Sequence, residues 1–484
     1  MRTLLVNPPS LATASRDRVG RSFIDGVQRN LSKSQYRTLP IEHLGLMSIA
    51  ASMRWAGFDV SVINGLVQGH SSLAETWSAM VSATANHAEP GLVGFSNIDT
   101  FDEVHELAVR ARRRWTGATI VLGNTAASLN WERILENYPV FDHVVVGDGE
   151  MAMTSVAHAL ANGSDTSHVP GVASRWANGS MGLPPPAPPP LDSLPWPARD
   201  EARAVTAAGF ALAVNTTRGC PYRCTFCGTG ALSKAMGPKG YRARDVIDVV
   251  DEIEFLITDY GVEFVSITDD LFFAKHPAMQ ERAAQFATEL LRRRLHIAFM
   301  VDIRLDSVDD LHLLRHLRAA GLCRVFMGLE TGSYEQLLAY GKRHLRPEDD
   351  AQRKLAAIQD LGIEIIPGTI MFHPGITPAE LRATVELIDT TGYQSPGKLL
   401  DRIVPYPGTP LHRQYSEEGV LVQDWPVGRW RFATEEARLV YEKMSQWYSG
   451  PDGDQYEIGR ELLLALAGEW ERKRTESRSA GGSG

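Results

Sequence analysis

The chain has 484 residues, 44% of them hydrophobic and 22% charged, which predicts two or three globular domains and excludes a largely disordered chain. A formal net charge of −9 argues against a dedicated nucleic-acid binder, which normally carries a basic balance or a basic face. No apolar run approaches the roughly 20 residues that span a bilayer, and Asn7-Pro8-Pro9 breaks the first one too early for a signal peptide, so a cytoplasmic protein without a membrane partner is expected.

Residues 1–165 alternate short apolar runs with helical stretches. The expected strands are Leu4–Val6, Val60–Ile63, Leu92–Phe95, Thr119–Leu122 and Val144–Val146. Between them fall helices over Leu44–Trp55, Val104–Trp115, Trp131–Glu136 and Met151–Leu160. This alternation predicts a parallel sheet with helices on both faces. Asn7-Pro8, Ser96-Asn97, Gly123-Asn124 and Gly147-Asp148-Gly149 mark strand ends, where such sheets bind ligands. Each glycine alone reads as a tight turn; together they predict a floor for a large cofactor. The polar, basic stretch Leu11–Arg37 reads equally as a cover for that site or as a disordered excursion.

Residues 166–205 read as a linker, since eight of the 27 prolines fall within 183–197 and make it extended and semi-rigid. From 206 to 410 the alternation resumes with a longer period. Strands are expected at Ala211–Asn215, Phe264–Thr268, Ile297–Val301, Arg324–Leu329, Glu364–Met371 and Arg402–Val404. Six strand–helix units are too few for an eight-unit barrel and predict an open, partial one. Residues 411–484 form a carboxy-terminal region with a few helices and a flexible tail. Its Trp425, Trp430, Trp447, Tyr448 and Tyr456 suit a substrate site or a local core.

Three of the four cysteines, Cys220, Cys224 and Cys227, share the spacing C-x3-C-x2-C directly after the first strand of the second domain. Thiolates at such spacing bind zinc or an iron–sulfur cluster. Structural zinc wants four ligands, and the nearest histidines are the distant His168 and His276. Three thiolates leave one iron of a cubane open for a substrate or cosubstrate. Gly228-Thr229-Gly230 is expected as a loop covering the cluster, with a phosphate loop as the weaker reading. Cys323, flanked by Leu322, Val325 and Phe326, reads as a core residue.

The cysteine motif with Phe226 before its last member resembles the radical S-adenosylmethionine (SAM) superfamily, and the resemblance covers nearly the whole chain. It implies a 4Fe-4S cluster on Cys220, Cys224 and Cys227 whose open iron chelates SAM. Phe226 would pack beside the adenine. Asp269 and Asp270 stand where the family keeps its SAM-amine motif, or cap the next helix. Arg304 would pair with the SAM carboxylate, and Glu330, in Gly328-Leu329-Glu330-Thr331-Gly332, would accept from the ribose or amine. A barrel-mouth salt bridge is the plainer role for both. Pro407-Gly408-Thr409-Pro410 resembles the segment that closes the core.

The amino-terminal series His43-Leu44-Gly45-Leu46, Gly94-Phe95-Ser96, Gly123-Asn124 and Gly147-Asp148-Gly149-Glu150 is similar to the cobalamin-binding domain fused to one class of these enzymes. Cobalamin contacts are expected at Asn7, Gly45, Ser96, Asn97, Gly123, Asn124, Gly147 and Gly149. The fold implied is a Rossmann-like cobalamin domain, a partial (β/α)6 TIM-type barrel and a small helical region. Asp-x-His-x-x-Gly, the usual source of a histidine below cobalt, is absent from 1–165, so a base-off cofactor is expected, and His43 takes a helix or surface role.

The resemblance implies a C-methyltransferase that uses a 5′-deoxyadenosyl radical and methylcobalamin on an unactivated carbon of a small molecule. A flavodoxin or ferredoxin would supply the electron. An oxidative cyclase or ring-rearranging enzyme shares every motif, and a non-catalytic cobalamin or SAM sensor is the remote alternative. Replacing Cys224 with Ala should abolish SAM cleavage, whereas Cys323→Ala should leave the iron content of reconstituted protein unchanged. A fall in iron per chain in the second variant would make Cys323 a ligand.

Overall fold

The computed structural model describes residues 1–9, 42–85, 88–96, 101–176, 178–236, 240–308, 311–342 and 349–481. Asn97 and the stretch Leu11–Arg37 lie outside the described residues. Side chains of a strand point alternately to opposite faces, and β1 (Arg2–Asn7) shows the consequence. Leu4 and Val6 bury against one helical layer, with Phe101, Val104 and Leu107, while Leu5 buries against the other, with Leu46, Met53 and Met153. A strand buried on both faces belongs in the middle of a parallel sheet. Accordingly β1 pairs with both β2 (Asp59–Asn64) and β3 (Leu92–Ser96), and β4 (Thr119–Gly123) and β5 (His143–Val145) continue in parallel. The strand order is β2-β1-β3-β4-β5, so the chain reverses its winding beside β1, where an open sheet forms its ligand crevice.

The expected linker at 166–205 begins differently. Strands β6 (Val172–Arg175) and β7 (Met181–Gly182) add to this sheet antiparallel, so the sheet domain extends past 165. The proline run that follows is tied to both domains. Gly171 N–H donates to Pro184 O at 3.0 Å, Arg242 Nη1 to Pro189 O at 2.9 Å, and the Trp196 indole to Asp248 at 2.8 Å.

The second domain is a five-stranded parallel sheet in the order β14 (Glu364–Thr369), β13 (Leu322–Glu330), β12 (Ala298–Ile303), β11 (Phe264–Ile267), β8 (Leu212–Val214). Helices Val246–Tyr260, Pro277–Arg293, Leu311–Ala319 and Asp349–Asp360 connect successive strands. Between β8 and β11 the short antiparallel pair β9 (Thr217–Arg218) and β10 (Arg242–Ala243) brackets the cysteine segment. The sixth expected strand, Arg402–Val404, is reduced to one bridge between Phe372 and Arg402. Pro374 after Phe372 and Pro405 and Pro407 after Arg402 remove the amide donors that would extend that bridge.

Trp430 and Tyr456 are buried in a local core with Met444, Leu463 and Trp470, and Trp447 and Tyr448 pack at its edge, so these aromatics follow the core reading. Trp425 instead meets Phe101 of the first domain edge-on at 5.2 Å.

A buried charge network fixes the two domains together. Arg199 donates to Glu42 of the first domain and Glu252 of the second, each at 2.6 Å, and Arg244 meets Glu252 at 2.6 Å. Glu42 also accepts from the Ala213 amide at 3.0 Å. Burial pushes the Glu42 carboxyl above its ordinary range, against the pull of Arg199. Removing Arg199 leaves Glu42 without its cation in a dry interior and Glu252 with Arg244 alone. Arg199→Ala should therefore cost about 3–5 kcal/mol in chemical denaturation. A loss below about 1 kcal/mol would mean that water enters and replaces the guanidinium.

Candidate active site

A cavity of about 380 Å³ lies between the two domains. Gly45, Ser96, Gly123, Asn124, Gly147 and Gly149 line its sheet side, and Thr217, Gly219, Thr229 and Asp270 its barrel side. Gly123 ends β4, and a Cβ there would meet only Val145 Cβ, at 3.8 Å, so the bare backbone faces open space. A Cβ on Gly149 would strike Ile49 at 2.5 Å, which keeps the start of helix Gly149–Ala161 close against helix Leu44–Trp55. This glycine-floored cradle fits a broad, flat group such as a corrin. Of the predicted contacts, Asn7 has a strand partner. It donates to Asn64 Oδ1 at 3.0 Å and is not among the lining residues.

His43 is the one histidine among the lining residues. Its Nδ1 accepts from the Leu46 amide at 3.2 Å, capping the first helix, and its Nε2 meets Ser96 Oγ at 3.0 Å. An accepting Nδ1 puts the proton on Nε2, so Nε2 donates to the serine. Burial lowers the pKa and keeps the ring neutral. Both ring nitrogens are thus engaged.

The cysteine segment runs from β9 into helix Gly228–Ala235, with Cys227 as its N-cap. The expected covering loop at Gly228-Thr229-Gly230 is therefore the first turn of a helix, whose free amides favour an anion. Burial raises the Cys227 pKa on balance, against the pull of the Gly230 and Thr229 backbone N–H groups that point to it. Burial and the other two thiols push Cys220 up to about 12. Three half-buried thiols within electrostatic reach of each other, partly served by backbone N–H groups, fit a 4Fe-4S cluster by donor chemistry. Among the described residues no trio of His, Cys, Asp or Glu converges on a single-ion site.

The predicted SAM residues divide into different roles. Asp269 is buried and accepts from Thr216 N at 2.6 Å, Thr217 N at 2.8 Å and Thr216 Oγ1, so it anchors the start of the cysteine segment. Asp270 lines the cavity and accepts from Gly219 N at 3.0 Å and Thr229 Oγ1 at 2.9 Å, clasping the segment from both ends. Neither caps the next helix, which starts at Pro277 after His276. Arg304 forms a fork with Asp306 at 2.7 and 2.8 Å, lies 3.8 Å over the Tyr222 ring, and points Nη1 at Cys224 Sγ, 3.6 Å away. Glu330 pairs with Lys342. Phe226 meets Tyr340 edge-on at 5.3 Å. Arg304 and Glu330 thus both form salt bridges, with different partners.

Sequence reasoning missed Tyr222, Lys342 and Asp302. Asp302 lies near the end of β12, two residues before Arg304, and burial with Asp269 and Asp270 nearby pushes its carboxyl up to about 8. Its strand position was the available signal.

Residues 214–388 match the radical SAM superfamily model, and residues 37–157 match the B12 binding domain model. This chain belongs to the cobalamin-dependent radical SAM enzymes. It is 23% identical over 425 residues to an uncharacterized methyltransferase, PH0819, of Pyrococcus horikoshii, covering 84% of this chain and 88% of that one. It is 25% identical over 436 residues to the anaerobic magnesium-protoporphyrin IX monomethyl ester cyclase of Synechocystis, covering 88% and 79%. Its fold resembles the cobalamin-dependent radical SAM enzyme OxsB with aqua-cobalamin bound, at a TM-score of 0.73 and 18% identity, over 96% of this chain and 72% of OxsB.

This radical SAM enzyme uses a 4Fe-4S cluster, SAM and cobalamin. No helix among its described residues is long and apolar enough to cross a membrane. Because His43 spends its Nδ1 on a helix amide and its Nε2 on Ser96, the cobalt(II) form of the loaded enzyme should show no nitrogen superhyperfine splitting, and His43→Ala should leave that spectrum unchanged. Splitting that vanishes in the variant would make His43 a cobalt ligand.

Proposed function

We propose that this enzyme is a C-methyltransferase acting on an unactivated carbon of a small molecule, in secondary metabolism. One observation carries the reading: the glycine floor at the ends of β4 and β5 and the cysteine segment at Gly219 and Thr229 open on the same cavity. When bound, the cluster with SAM supplies hydrogen abstraction and cobalamin supplies a transferable methyl group. The chain's own residues hold these groups at fixed separation, a large share of the rate advantage. Asp270 clasps the cysteine segment, and Arg304 keeps a guanidinium edge near Cys224 for a carboxylate. Arg218 and Arg242 close the cavity wall through Glu150 and Asp148, each pair at 2.6 Å, and limit entry of water. A thiolate-held cluster and a reducing donor such as flavodoxin or ferredoxin support a cytoplasmic setting.

The cyclase among its relatives supports a second reading, oxidative ring formation without methyl transfer. Product analysis separates the two. With substrate, SAM and reductant, the methyltransferase should form 5′-deoxyadenosine and S-adenosylhomocysteine in about equal amounts per methylated product, and methyl-labelled SAM should label it. Substrate consumed with 5′-deoxyadenosine but without S-adenosylhomocysteine would replace this reading by the cyclase.

A further inference from the structure

We propose that Lys342 is a positioning residue that aims the Glu330 carboxylate at SAM and ties it to the cysteine segment. The inference rests on the assignment of Glu330 to SAM. Glu330 ends β13 in an unusual conformation. The pairing of β13 with β14 slips between Gly328 and Glu330, so two residues of β13 oppose one of β14. Such a bulge re-aims a side chain. Glu330 also has φ of 63°, a left-handed backbone that a residue with a Cβ adopts only when its surroundings impose it.

Those surroundings are visible. The carboxylate folds back over Gly328, where a Cβ would lie 2.6 Å from Glu330 Oε1 and 2.9 Å from Lys342 Nζ. Gly328 thus supplies the space in which the pair forms. Lys342 is buried, pairs with Glu330 and donates to Gly328 O at 2.8 Å. A buried ammonium is expensive to dehydrate, and an apolar residue of similar size would stabilise the fold as well or better. Its use here therefore points to the carboxylate it faces.

The same segment grips the cysteine motif. Tyr340 O accepts from Thr225 N at 3.1 Å, Ala339 O accepts from Thr225 Oγ1 at 3.1 Å, and Gly341 packs so closely that a Cβ would lie 3.3 Å from Arg223 O. Lys342 follows directly. One short stretch, 339–342, therefore sets the carboxylate and the cysteine segment relative to each other.

The test compares K342M, K342R, G328A and, as a control, E330Q in cluster-reconstituted enzyme. SAM affinity is read from the change SAM causes in the EPR spectrum of the reduced cluster, beside iron per chain and the 5′-deoxyadenosine rate at saturating SAM. K342M and G328A should weaken SAM binding about tenfold or more, equivalent to losing about 1.4 kcal/mol. Iron content should stay unchanged and the saturated rate should stay within about threefold of wild type, because a positioning charge acts mainly on binding. K342R should recover part of the affinity. Wild-type SAM affinity in K342M and G328A, or iron lost in step with affinity, would overturn the inference. If E330Q alone binds SAM normally, the assignment of Glu330 fails and the inference with it; if E330Q is weak while K342M is normal, only the inference fails. None of these readouts depends on methyl transfer.

Discussion

The structure depends on the buried ion network of Glu42, Arg199, Glu252 and Arg244. Two cofactor sites on separate sheets are useful only if their separation is fixed. Hydrophobic contact alone sets separation loosely, because apolar surfaces slide at little cost. Charges in a dry interface do not slide, since a displaced partner leaves an uncompensated charge. Arg199 comes from the segment joining the domains, so the connection itself carries the lock. The Asn130 amide on Pro407 O, at 2.9 Å, and Trp425 against Phe101 add support on the far side.

Within that frame the cysteine segment owes little to regular structure. It is held by groups around it: the Asp269 side chain at its start, the Asp270 side chain across it, the Ser233 hydroxyl on the Cys220 amide and the Tyr340 carbonyl on the Thr225 amide. Each bond satisfies a backbone group that no ladder reaches. An irregular segment fixed in this way keeps its three thiols in place and presents Gly219 and Thr229 to the cavity. The helix that begins at Gly228 adds free amides next to Cys227, so backbone polarity there favours an anionic thiolate cluster.

Much of this was legible in the chain itself. The alternation of apolar runs gave the parallel sheet, because a strand buried on both faces must be apolar throughout, as Leu4, Leu5 and Val6 are. Where the pattern was faint, elements escaped. Helix Leu73–Ser82 buries only Thr76 and Met80 and leaves a weak stripe. Strands β6 and β7 fell inside a stretch dominated by prolines and so read as linker. Asp269 and Asp270 looked equivalent as neighbours, yet successive residues at a strand end point in opposite directions, one into the fold and one into the cavity.

The sequence by itself determined the chemistry: three thiols at C-x3-C-x2-C can hold a cluster with an open iron wherever the chain places them, and glycines at strand ends can floor a flat cofactor. Those properties are local, since they follow from residue type and spacing. Only the tertiary structure decided which charges meet. Lys342 lies 12 positions beyond Glu330, and Arg199 lies 157 beyond Glu42, and neither pairing is marked by any local pattern. They form because the bulge in β13 turns one carboxylate over a glycine and the joining segment brings one guanidinium between two domains. A buried charge takes whatever partner folding brings within reach, and that partner is fixed by the path of the chain rather than by its local order.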